Sequence, residues 1–186
     1  MSVDLVGTLP RPVTLAAVVD QARATLAELL GDPAVPELAV IRDRAYDKGV
    51  RTHAGRPLTT AELAVTEIGD GERSHFDIDI PATGDIVWLM VSDDHAVFTP
   101  KRTCVGVTVA AGLALAAAKV AKGEYVDQEI WMLTPPVSDP DEVVARTRLP
   151  DATDSFTVQC ERYLRQFANL NGWPPSKNPR EWLYAL

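Results

Sequence analysis

The sequence holds only two cysteines, Cys104 and Cys160, and only three histidines, His53, His75 and His95. Each cysteine lies in an apolar setting with no second cysteine or histidine at zinc-finger spacing, so neither a disulfide framework nor a structural zinc motif is present. Both are expected to be buried thiols, inert as nucleophiles. The GxxxxGK[ST] phosphate loop, the GxGxxG dinucleotide fingerprint and the GxSxG nucleophile elbow are all missing, so no cofactor is expected. Base is short relative to acid: Lys and Arg total 18 against 26 Asp and Glu, a formal charge of -8 with a pI near 4.8. Binding to a phosphate backbone depends on lysine and arginine releasing counterions, which makes nucleic acid a poor partner for this chain.

Long apolar runs are lacking too. The longest uncharged stretch, from Thr103 to Ala118, is short for a membrane span and diluted by alanine, glycine and threonine, so it reads as a buried helix. The N-terminal MSVDLVGTLPRP has no basic region leading into an apolar core, which points away from a signal peptide and toward a cytoplasmic protein.

What remains has the balance of a soluble globular protein, 46% hydrophobic and 24% charged over 186 residues. The reading is a single α+β domain over residues 1–170, followed at 171–186 by a proline-rich connection and an apolar tail. Leu15, Val18, Val19, Ala22, Leu26 and Leu29 recur at helical intervals and predict a helix near 14–30, ended by Gly31 and Pro33. Thr59 and Glu62 fit a capping box for a short helix, and Asp139-Pro140-Asp141-Glu142 opens another over 140–147. SHFDIDIP, DIVWLMV and AVFTP, separated by turn residues, predict an antiparallel meander at 74–80, 85–91 and 96–100. Strands near 37–44 and 124–133 complete a sheet of about five, packed by helices near 14–30, 104–121 and 155–167. Gly123 is placed to supply a left-handed cap after the second of these.

The candidate site begins with SHFDIDIP. Alternate residues of a strand point the same way, so His75, Asp77 and Asp79 form a polar row expected to face water, while Phe76, Ile78 and Ile80 face the core. With Asp93, Asp94 and His95 in the neighbouring turn, the row offers nitrogen and oxygen donors for a divalent metal. Successive members of such a row stand about 7 Å apart by the strand rise, long for two ligands on one ion. The alternative, a metal-assisted hydrolase using His75, Asp77 and Asp79, therefore ranks below a wet, partner-facing surface. Trp131 shares a strand parity with Tyr125, Asp127 and Glu129, a mixture of aromatic and acidic groups suited to an interface. In the tail, Trp182, Leu183, Tyr184 and Leu186 are too apolar to stay wholly in water; docking on their own domain is the first reading, docking on another chain the second.

The segment AAGLALAAAKVAKGEYVDQEIWML, Ala110 to Leu133, resembles small bacterial immunity-type proteins of polymorphic toxin systems in its alanine-rich helix, its glycine and its aspartate-bearing strand. That resemblance implies an acidic, cytosolic α+β protein that blocks a toxin without doing chemistry, and assigns no functional residue. The expected function is non-catalytic binding of another, basic protein, with Asp77, Asp79, Asp93, Asp94, Trp131 and Trp182 as candidate contacts, and no nucleic acid or membrane. A structural subunit that assembles through its tail is a further alternative.

Overall fold

A computed structural model describes residues 3–175 apart from 32, 49, 128 and 153; Trp182 and the rest of 176–186 lie outside the described residues. In chain order the elements are β1 (Leu5–Thr8), β2 (Val13–Thr14), α1 (Leu15–Leu30), β3 (Ala39–Arg42), β4 (Ala45–Asp47), β5 (Val50–His53), β6 (Arg56–Pro57) and α2 (Thr60–Val65). There follow β7 (Glu67–Ile68), β8 (Ser74–Ile80), β9 (Asp85–Ser92), β10 (His95–Pro100), α3 (Cys104–Ala121), β11 (Tyr125–Asp127), α4 (Pro140–Thr147) and α5 (Phe156–Arg165). The fold is α+β. Its main sheet has seven strands in the order β11-β1-β10-β9-β8-β3-β6, all paired antiparallel.

Seven replaces the expected five because β1 and β6 join the sheet. β1 is only LVGT, too short to show a period beside LPRP, and it inserts between β10 and β11. Gly7 makes that insertion close: a Cβ there would lie 2.6 Å from the Ala114 carbonyl oxygen of α3. The strand expected over 124–133 stops at Asp127. The Asp127 carboxylate accepts the backbone N–H groups of Ile130, Trp131 and Met132 at 3.0, 3.0 and 2.7 Å, which turns the chain off the sheet edge. Trp131 accordingly takes a left-handed φ of 52°, and the parity shared by Tyr125, Glu129 and Trp131 does not form.

α3 is the centre of the packing. Thr103 caps its start by accepting from the Gly106 N–H at 2.9 Å, and burial claims nearly every side chain along it. By length and hydropathy it could cross a membrane, yet 89% of it is buried inside the fold. One flank lies on β1, β10 and β9, and another on α1, where Gly112 meets the Leu26 side chain. At its end the left-handed residue is Lys122, not Gly123. Gly123 has a different duty, since a Cβ on it would strike the Thr8 carbonyl oxygen. α1 closes as expected, with Thr14 accepting from Ala17 N–H at its start and Gly31 left-handed at its end. The capping box of Thr59 and Glu62 forms at α2. The Arg56 ion pair and the Thr59 N–H and hydroxyl hold the Glu62 carboxyl down at about 2.

The first residues of the proline-rich connection dock on the domain. Trp173 packs against the core, and Arg165 donates to the carbonyls of Trp173 and Pro174 at 3.3 and 2.6 Å.

Candidate functional site

The strand period gives the sheet two faces, and α3 lies against one. Leu5, Phe98, Leu89 and Phe76 lie in register across four strands on the face toward α3, and none is more than 4% exposed. Phe76, Ile78 and Ile80 are buried there, as the alternation of SHFDIDIP requires. On the opposite face, Val126, Val6, Val97, Met90 and His75 form the matching row. Val126, Val6 and Val97 are half-buried, Met90 is 56% exposed and His75 is exposed. One rung along, Thr99, Trp88 and Asp77 stand side by side.

Here the expectation of a wet acidic row needs correction. Asp77 is only 5% exposed, because the segment after β3 returns over this face and places Arg44 on it. One guanidinium nitrogen of Arg44 donates to Asp77 Oδ2 at 3.0 Å and to Asp79 Oδ1 at 2.6 Å; the other donates to Asp79 Oδ2 at 2.7 Å. Arg44 Nε donates to the Ala54 carbonyl at 3.1 Å, and the Tyr46 hydroxyl donates to Asp77 Oδ2 at 2.9 Å. Hydrogen bonds with Asp79, ahead of those with Asp77, hold the guanidinium above its ordinary pKa against the cost of burial. A two-pronged carboxylate contact of this kind is strong and directional. Its result is an anchored hairpin, β4–β5, whose described residues are all exposed.

The metal reading therefore meets a guanidinium already seated between its two carboxylates. His75 lies one rung away, opposite Met90, and Asp93 and Asp94 sit in the β9–β10 turn, roughly 17 Å along the strand from the Asp77 rung at about 3.4 Å per residue. Among the described residues, no group of three or more His, Cys, Asp or Glu is placed to hold a metal ion. Asp94 instead faces the ring of its neighbour His95 at 2.5 Å.

The thiols lie apart from these groups. Cys104 and Cys160 are buried, and burial pushes the Cys104 thiol up to about 11 and the Cys160 thiol up as well. At neutral pH both are protonated and poor nucleophiles.

No family model matches the chain, and no curated protein or solved structure matches it either.

At the outer edge of β11 lies a second feature. The loop that Asp127 organises presents Trp131, 48% exposed, and the Asn169 amide clasps its far side by donating to the carbonyls of Ile130 and Trp131. Behind it, Tyr125 is 3% exposed and its hydroxyl has no hydrogen-bond partner among the described residues. Of the expected contacts, then, Asp77 and Asp79 come together, Asp93 and Asp94 stand at one end of the open face, and Trp131 belongs to a separate loop. Arg44, Tyr46 and Met90 were not singled out by sequence. Their signals, a charge and an aromatic ring in ELAVIRDRAY and a methionine in an apolar strand, carry no indication of the face they join.

Proposed function

We propose that the protein is a non-catalytic binding factor whose open sheet face receives a basic protein partner. The observation that carries this reading is Met90: a methionine in the middle strand of a seven-stranded sheet stays 56% exposed, beside half-buried Val97 and Trp88. A central strand ordinarily covers both faces or presents polar residues to water, and a contiguous apolar patch with a polar border suits a protein interface. The border is partly acidic, with exposed Asp93 and Asp94 at the turn beside it. Together with the charge of -8, this favours a partner of opposite sign, with charge steering the approach.

In its most concrete form the protein is an immunity-like inhibitor that occupies its partner and performs no chemistry. The commitment of the Asp77 and Asp79 carboxylates to Arg44 supports this over hydrolysis. Capture with the purified chain from the source cell, followed by mass spectrometry and a salt series, provides the test. A stoichiometric basic protein released as salt rises is expected; repeated capture without one contradicts the reading.

A further inference from the structure

A cavity of about 400 Å³ opens between the outer edge of β11 and the chain at 131–138. Its floor is Tyr125, Met132 and Val143, at 3%, 5% and 1% exposure, and exposed Trp131 and Pro136 stand on its rim. A volume of this size lies within the range of small-molecule sites.

The walls are set before any ligand arrives. Asp127 ties down the rim through the three backbone N–H groups of residues 130–132, and Asn169 holds the same loop from behind. Rigid walls lower the ordering cost of binding. Charge decides the ligand's class: among the described residues no lysine, arginine or histidine lines the cavity, and the one carboxylate, Asp127, already accepts three hydrogen bonds. An anion would face that carboxylate with no cation among the described residues to answer it, and a cation would compete with the backbone that the carboxylate holds. The Tyr125 and Trp131 rings and the Met132 thioether are groups that pack favourably on an aromatic ring.

We propose that this cavity is a binding site for an uncharged small molecule built on an aromatic ring. The inference is independent of the open sheet face, and the methionines separate the two: Met90 reports on the sheet and Met132 on the cavity floor. The full chain carrying methyl-labelled methionine gives signals from Met1, Met90 and Met132, the last assigned by its loss in Met132→Leu.

Indole is the probe. It is expected to move the Met132 methyl saturably with a Kd at or below about 1 mM and to leave Met90 in place. Indole-3-acetate, the same ring with a carboxylate, is expected to bind at least about tenfold more weakly. Val137→Phe, at a half-buried wall position, is expected to weaken indole by about tenfold. Should that variant not fold, Trp131→Ala at the exposed rim is read instead and is expected to weaken indole severalfold. An unmoved or unsaturable Met132 signal overturns the proposal, as does equal binding of the anion. Binding of N-acetyl-tryptophanamide as tight as indole overturns it differently, by assigning the cavity to a protein side chain.

Discussion

Along β9, neighbouring residues have opposite fates. Val87, Leu89 and Val91 are no more than 1% exposed, whereas Trp88 is half-buried and Met90 is 56% exposed. The first set meets α3 and the core; the second meets an arginine-anchored hairpin at one end and stays open along the rest among the described residues. Both faces are rich in apolar atoms, so composition does not separate them. What separates them is what covers them, a continuous helix on one side and a local ionic clamp on the other. One face should therefore answer to mutation with stability and the other chiefly with binding.

The largest expected effect is on the closed face. Phe98→Ala, at 0% exposure opposite Leu5 and Leu89, should cost about 3–5 kcal/mol in urea unfolding, the lost transfer energy plus a cavity. The clamp comes next. Arg44→Ala leaves Asp77 buried without its cation and should cost about 3 kcal/mol, the low end for a broken buried pair, because the Asp79 side chain is 26% exposed and can turn to water. It should also make the β4–β5 hairpin susceptible to proteolysis while α1 and α3 stay protected. Equal loosening of both faces would show that the clamp is part of the core.

A smaller effect belongs to alkaline pH. The native state keeps protons on Cys104 and Cys160 that the unfolded chain releases, so it binds more protons and stability falls as pH rises. The contribution is complete below the ordinary thiol value of 9.0 and for Cys104 is lost through about 11. The urea midpoint should therefore decline between those values, and thiol reagents at pH 8 should modify the folded protein only after it opens. A flat midpoint across the window would place the thiols in water.

The closed face was legible and the clamp was not. Phe76, Ile78 and Ile80 declare the core side of β8 by strict alternation, and the caps at Thr59 and Asp139 mark α2 and α4 because capping is chemistry within one turn. Arg44 reaches Asp77 across 33 residues, and Asp79 across 35, so no local window contains the pairing that buries the row. Asp127 misleads for the opposite reason. Its partners lie within five residues, but they are backbone N–H groups, and an aspartate on a strand parity looks the same whether it faces water or folds the chain upon itself. β1 escaped notice because four residues around a glycine show no period, and its place between β10 and β11 is set by contact with α3.

Binding at the open face is tested by Met90→Asp. An exposed substitution in a central strand, one rung from the clamp, should cost no more than about 1 kcal/mol. The measurement is quantitative capture of the basic partner by Met90→Asp beside the unaltered chain, with urea midpoints run in parallel. The prediction is a midpoint shift within that bound and loss of the partner; a shift within that bound with the partner fully retained would contradict the assignment of this face as the binding surface.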